Sequence, residues 1–580
     1  MEFIKKNKIK IFIIFVFLVY TLFSFGIYQA RTLNGNINNH ILAGEMFGVP
    51  TALKDKGLSA LYTGPKGTGW DGQFYYYMSN DVLALKDTPN HIDSPSYRYQ
   101  RVGLSLYAAV VAKALGMDWV SPSAYFLSYL FLLSAATWAG ANLFSKLGIS
   151  PLFILLWSLS VGTQVTLFNA LPDAAADAFL ILALSAVLSK KYILSVIPFA
   201  FSALSREVYV LFPSFILLFI LIESVLFKHG NLYVNLKNIR SKIFKYNSYY
   251  FLLVPGVVAV CWHFYVVQHF GIAPSQQAIN ILGYPFVAWE KYFSSGLNGN
   301  HILVGANWTA YAEAMTLFLF LVTLILVTCI SLSILFKKNS LITPEVRGIA
   351  LTLISFSVLY ACFGSTVIAH YTGYFKAVAL FFFLIPLLLS FVNFKKMVNN
   401  FIYTLLLLSV LLTTIYHLKV RILAYPVNFD KYTKMSTVTN VETIGCFNDF
   451  NAKIKVNNVS LFHEDIMSRI FGMDDIIIVD VELINNSPNP FVSTKGRGSV
   501  FMSYHWVNQE GKVVADGIRT ALSKPILPGA SEKMSIVSRL PKHTENLSLR
   551  LSPVQEGCAW FYMRNPDVSQ NISINVKEKL

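Results

Sequence analysis

Long apolar segments, laid end to end over the first 420 residues, constrain this chain more than any other feature. A run of about 20 largely apolar residues can cross a bilayer as a helix, because a helix satisfies its own backbone N–H and C=O groups where no water can. Such runs lie at residues 9–28, 122–144, 150–168, 174–189, 192–205, 207–227, 249–269, 312–336, 348–368, 375–393 and 399–418. They number about eleven by the length criterion. Residues 102–116 are apolar too, but they are short and carry Lys113, so they read as a helix lying in the interface. Only 13% of the chain is charged, roughly half the share of a soluble protein. The expected fold is a polytopic α-helical membrane protein, with a second domain attached at its C-terminal end.

Charge then orients the spans. The net charge of +16 does not point to nucleic acid, because the basic residues cluster in short loops between apolar runs. With the N-terminus inside, alternation places Lys146, Lys190–Lys191, the segment Lys228 to Lys245, Lys337–Lys338 and Lys395–Lys396 all on the cytoplasmic side. The first apolar run is long and no small-residue cleavage site follows it, so it reads as an uncleaved span. The outside then receives a long loop, residues 29–121, a second loop over about 270–311, and the region from about 420 to 580.

The domains expected are 1–420, helical, and 421–580, of a different character. Residues 475–483, 498–506, 533–538 and 546–551 are strand-like, with turn signals at Gln509–Lys512 and Leu527–Ala530 between them. Short strands at this spacing suggest an antiparallel β-sandwich. Cys446 and Cys558 lie in this part; a bond between them and two free thiols are both compatible with the sequence. No CxxC or Cys/His spacing marks a metal site.

Candidate chemistry gathers on the outside face. In the first loop, Gly69-Trp-Asp-Gly-Gln-Phe-Tyr-Tyr-Tyr-Met-Ser-Asn-Asp81 carries Asp71, Gln73, Tyr75 and Asp81. A carboxylate amid aromatics at a membrane face is suited to take a proton from a hydroxyl. If Phe74 to Val82 is helical, Asp71 stands at its entry, where backbone N–H groups would fix it. A plain helix cap fits Asp71 equally well, and the residues alone leave both readings open. Arg98 and Arg101, three apart, would share a helix face and suit a phosphate, or else anchor in headgroups. Asp173 and Asp177, four apart, follow Pro172 at a helix start; Asp177 lies a turn deeper, where an ionisable residue is a functional candidate. Arg206-Glu207 interrupts an apolar stretch, either as a salt-bridged turn or as a cation for phosphate beside a carboxylate for a sugar hydroxyl. His370 and Lys376 share another outside end, and an outside lysine runs against the positive-inside trend.

At Asp71-Gly-Gln-Phe-Tyr-Tyr76 and Tyr97-Arg-Tyr-Gln-Arg-Val-Gly-Leu104 the chain resembles bacterial multi-span glycosyltransferases of the GT-C superfamily, over roughly residues 1–420. The resemblance implies a polyprenyl-phosphate-linked sugar as donor, used outside the cytoplasm at the plasma membrane. It makes Asp71 the general base by position, while Arg98, Arg101, Arg206 and Lys376 become candidates for the donor phosphate by their chemistry, not by a motif match. The two adjacent acids that those enzymes carry in the first loop are absent here, so no residue is assigned to a metal, although a divalent ion stays compatible with the motif. Residues 470–565, with Ser503-Tyr-His-Trp506, Leu527-Pro-Gly529 and Cys558-Ala-Trp-Phe561, look like β-sandwich domains of surface-polysaccharide proteins that bind glycans. Trp506, Trp560 and Phe561 read as core residues first.

The expected function is therefore transfer of a sugar from a lipid-linked donor to a surface glycan or lipid-linked acceptor. A transporter or sensor of lipid-linked glycans is the alternative from another class, and it would need charge along the depth of the spans. A ligase joining a whole glycan to its carrier would suit the same fold.

Overall fold

The computed structural model describes residues 2–33, 40–60, 68–225, 227–228, 231–232, 248–278, 280–301, 308–337, 342–392, 394–422, 445–462, 476–493, 497–523, 525–539 and 547–573. The chain divides into two compact units, Met1–Ile422 and Leu423–Leu580.

The first unit is helical. Each apolar run forms helix, and seven helices among the described residues are long and apolar enough to cross a membrane: Asn7–Tyr28, Pro122–Lys146, Ser248–Phe270, Trp308–Phe336, Pro344–Ala361, Tyr371–Leu389 and Lys396–Val420. An eighth forms if Pro151–Ser158 and Val161–Phe168, bent by 51° at their junction, count as one. The expected spans at 174–189, 192–205 and 207–227 are helices of only 16, 14 and 15 residues. At 1.5 Å per residue they reach about 21–24 Å, short of a hydrocarbon core of about 30 Å. Tyr192–Ser205 leaves Ile193, Leu194 and Ile197 exposed, while Asp173–Leu188 is buried along nearly its whole length. By contrast Leu253, Val257, Val260 and Phe264 of the Ser248–Phe270 segment face outward. Helices apolar on the outside as well as the inside belong in lipid. The apolar run at 102–116 forms the helix Gly103–Ala114, also short. Most of the lysine-rich segment between Lys228 and Lys245, together with Lys338, lies outside the described residues.

Two glycines set the entry of the long first loop onto this body. Gly72 opens the helix Gly72–Ser79, and a Cβ there would collide with the carbonyl of Asn169. Gly103 lies as closely on Phe201 and Ser205. The loop segment after the first span is thereby drawn against the start of Asp173–Leu188 and the end of Tyr192–Ser205.

The second unit holds two antiparallel sheets. The strands are β1 (Ala452–Phe462), β2 (Ile476–Asn485), β3 (Val500–Val507), β4 (Val513–Asp516), β5 (Thr520–Ala521), β6 (Ser531–Arg539), β7 (Ser548–Gln555), β8 (Ala559–Trp560) and β9 (Gln570–Ser573). One sheet runs β1-β2-β6; the other runs β8-β7-β3-β4, with β9 also on β7 and β5 on β3. Ile477, Val479, Val481 and Leu483 of β2 share one core with Met502, Tyr504 and Trp506 of β3. Their alternation follows from the two-residue period of a strand. Trp506 and Phe561 are core, as expected, whereas Trp560 is half-buried, with its ring 3.8 Å from that of His505 and under the Arg519 guanidinium. Cys446 and Cys558 are bonded.

Candidate functional site

The Gly72 contact places Asp71 at the rim of a cavity of about 250 Å³ within the helical unit. The Asp71 carboxylate does not cap its own helix. It turns instead to Arg98, whose Nη1 and Nη2 lie 3.2 Å from its two oxygens. Backbone amides were the expected anchor; a guanidinium replaces them.

Arg98 is held from its other edge by Asp93, with Nε and Nη2 donating at 3.0 and 2.8 Å. Phe74, Tyr75 and Tyr97 surround its plane. The planar fork of arginine explains how one side chain serves two carboxylates at once. Arg101 lies over Tyr97 and makes a bidentate pair with Glu207, at 3.0 and 2.8 Å. Arg98 closes the short helix Pro95–Tyr99 and Arg101 sits in the turn beyond it, so both reach the same cavity.

Arg206 and Glu207 do not pair with each other. The helix Tyr192–Ser205 ends at Arg206 in extended backbone, which turns the two side chains apart. Arg206 goes to Asp173, 3.6 Å away, and over the ring of Tyr209. Asp173 is therefore more than helix-start punctuation. Lys376 lines the cavity from the helix Tyr371–Val378, and among the described residues no acidic side chain pairs with it.

Of the residues singled out in the sequence, Asp71, Tyr75, Arg98, Arg101, Asp173, Arg206, Glu207 and Lys376 line this one cavity. The others lie elsewhere. Gln73 holds the loop, accepting from Gly44 N and donating to Thr68 O. Asp81 accepts from the amides of Leu85 and Lys86, closing a turn. Asp177 is buried behind the cavity, accepting from Tyr209 Oη and Trp157 Nε1. His370 faces Glu313, 3.4 Å away. Asp93, Tyr209, Tyr360 and Glu313 were not singled out. Asp93 carried a signal, five residues before Arg98; the tyrosines and Glu313 lie among span residues.

Much of the remaining lining is apolar, with Leu171, Val208, Ile281, Leu282, Leu359, Phe363 and Val367 beside the hydroxyls of Tyr97, Tyr360 and Thr366. Residues 280–286 run antiparallel to 361–366, with Gly283 N donating to Cys362 O and Gly364 N to Ile281 O, both at 2.8 Å. This wall ends in exposed Leu282, Tyr284 and Phe286.

Charge balance sets the protonation states. Asp71 keeps 56% of its side chain exposed, yet protein surrounds it; water reaches it through the cavity. Burial pushes its carboxyl up, but Arg98, Lys376 and Arg101 outweigh that and hold it below the usual carboxylate range. Burial works against the charge on Arg98 and Arg101 too, and their carboxylates more than restore it. Burial pushes the Tyr75 hydroxyl up to about 12, so it stays a neutral donor or acceptor.

Asp71, Asp173 and Glu207 each face a guanidinium, and among the described residues no three His, Cys, Asp or Glu side chains converge as ligands. No family model and no curated protein matches the chain.

Proposed function

We propose that this protein is a membrane glycosyltransferase that moves a sugar from a polyprenyl-phosphate-linked donor to a hydroxyl of a glycan or lipid-linked acceptor, on the extracytoplasmic face of the plasma membrane. The observation that carries this reading is the divided cavity. One side holds four cations and three carboxylates, which leaves one surplus positive charge, and the other is mostly apolar and runs out to exposed Leu282, Tyr284 and Phe286. An amphiphile with an anionic head and a hydrocarbon tail matches both sides.

In this reading the donor phosphate sits among Arg98, Arg101, Arg206 and Lys376, with Lys376 the cation that makes no close ion pair among the described residues, although its charge acts on Asp71. As the bond between the anomeric carbon and the phosphate oxygen breaks, these groups stabilise the negative charge that develops. The acceptor oxygen bonds to the same carbon and its proton passes to Asp71. A weak base suffices, because that proton becomes strongly acidic once its oxygen is bonding to an electron-poor carbon.

The finer topology belongs to the same proposal: all eleven apolar segments enter the bilayer, the N-terminus is cytoplasmic and the β-sandwich is extracytoplasmic, where it holds the acceptor glycan. The Cys446–Cys558 bond supports the outer location, because disulfides persist in oxidising compartments. The test is incubation of the purified full chain in nanodiscs with a panel of polyprenyl-phospho-sugars and an acceptor glycan, with mass detection of released polyprenyl phosphate. Release by the wild type and none by Asp71→Asn is expected. No release from any donor overturns the reading.

A further inference from the structure

The four cations of the cavity are held in two different ways. Arg98, Arg101 and Arg206 are each fixed by a carboxylate of their own. Lys376 makes no close ion pair among the described residues, although its charge acts on Asp71, so its place depends on the backbone that carries it. That backbone is the short helix Tyr371–Val378, whose Gly373, Lys376 and Ala377 line the cavity.

What fixes this helix is a carboxylate outside the cavity. Glu313 lies in the Trp308–Phe336 helix, with only 2% of its side chain exposed. Its Oε2 accepts from the amide of Tyr371, the first residue of the short helix, at 2.9 Å, and lies 3.5 Å from Tyr374 Oη. Its Oε1 accepts from Tyr416 Oη at 2.8 Å and lies 3.4 Å from His370 Nε2. His370 is itself the cap of the helix, its Nδ1 accepting from Thr372 N. Glu313 thus reaches both the first orphan amide and the cap residue that serves the next one. The first amides of a helix have no partner within it, and an anion there also meets the positive end of the dipole. Two further contacts complete the hold: Tyr374 Oη shares a hydrogen bond with Thr316 Oγ1 at 2.6 Å, and Tyr371 Oη one with His417 Nδ1 at 2.9 Å.

A carboxylate inside a span is expensive to bury and calls for a role. We infer that Glu313 is the positioning residue for Lys376: from within a neighbouring span it anchors the start of the helix that presents this amine to the cavity. The use made of the amine, binding the donor phosphate, rests on the glycosyl-transfer reading; the positioning itself does not.

The experiment compares wild type, Glu313→Gln, Lys376→Ala and the double variant, each as full-length protein in nanodiscs. Two readouts are taken. The first is the labelling rate of Lys376 by a soluble amine-reactive ester, mapped by mass spectrometry, with exposed Lys291 as reference. Glu313→Gln should change the Lys376 rate relative to Lys291, and thermal melting shows that the variant is folded. The second is donor kinetics. A cation beside the leaving phosphate meets more negative charge in the transition state than in the bound donor, so Glu313→Gln should lower kcat and kcat/KM about tenfold. In the double variant the Glu313→Gln change should add nothing to that of Lys376→Ala. Unchanged Lys376 labelling in folded Glu313→Gln overturns the inference, and so does a further loss of kcat/KM on adding Glu313→Gln to Lys376→Ala. If the wild type transfers no sugar, the functional reading falls and the labelling arm alone decides this one.

Discussion

The two units bury polar groups in opposite ways. Among the described residues of the β-sheet unit, the buried polar side chains other than His505 and Glu532 have no ionisable group, and most of them serve the backbone. Gln555 donates to Gly445 O and Gly498 O, and Asn485 to Asn489 O and Ile526 O. In the helical unit the enclosed groups include full charges, and those around the cavity serve one another across long stretches of chain. A buried neutral amide tidies a loop at little expense once bonded. A buried charge costs several kcal/mol in desolvation, and a well-packed apolar replacement is often as stable. Under the proposed function, the contrast separates polar groups kept for the fold from those kept for chemistry.

That contrast can be broken by substitution. The largest effect is expected at Asp71. Asp71→Asn keeps the shape and a partner for Arg98, so melting should hold while transfer falls roughly 10²- to 10⁴-fold, read as release of polyprenyl phosphate. The mirror result is expected at Trp506 of β3, which is 2% exposed. Trp506→Ala should destabilise the β-sheet unit by about 3–5 kcal/mol, seen by denaturant melting, and leave donor KM unchanged. Cys558→Ser, which opens a loop closed across 112 residues, should cost that unit about 2–5 kcal/mol by the same assay. Arg101→Lys is a smaller perturbation. The amine cannot reproduce the fork on Glu207, and because the pair keeps some water, a loss of about 1 kcal/mol in melting is expected. The smallest effect is with pH. The active form of Asp71 is the carboxylate, and its titration lies below the ordinary value of 3.8, so kcat/KM should show no loss attributable to Asp71 between pH 7 and about 5. A loss with midpoint near 6 would place the base elsewhere.

Helical segments were legible because a run of about 20 apolar residues has few other solutions. Their crossing lengths were less so: Arg206 and Glu207 stop one helix at Ser205, and Asp173 opens another, so the apolar runs around them make short helices. In the β-sheet unit strands β2, β3, β6 and β7 were visible, but β1 was not. Lys453 and Lys455 alternate there with Ile454 and Val456, and the lysines masked a strand with one buried face. Within the cavity the charged residues stood out against their apolar surroundings. Their pairing did not, because Arg101 and Glu207 are 106 residues apart, and adjacency wrongly suggested Arg206 with Glu207. Tyr360 and Tyr209 were hidden for a different reason: an aromatic inside a span looks like packing until a guanidinium is found beside it.

The close seat of Gly72 on Asn169 has a mechanical consequence. It leaves no room for even one methyl group between the Asp71 helix and the turn that leads into Asp173. The carboxylate side of the cavity is therefore a fixed jaw. Accommodation of ligands of different girth falls to the opposite jaw, residues 280–286 against 361–366, which is tied by backbone hydrogen bonds and bends through left-handed Asn280 and Phe286. Selectivity for the sugar would then be set by the jaw that does no chemistry.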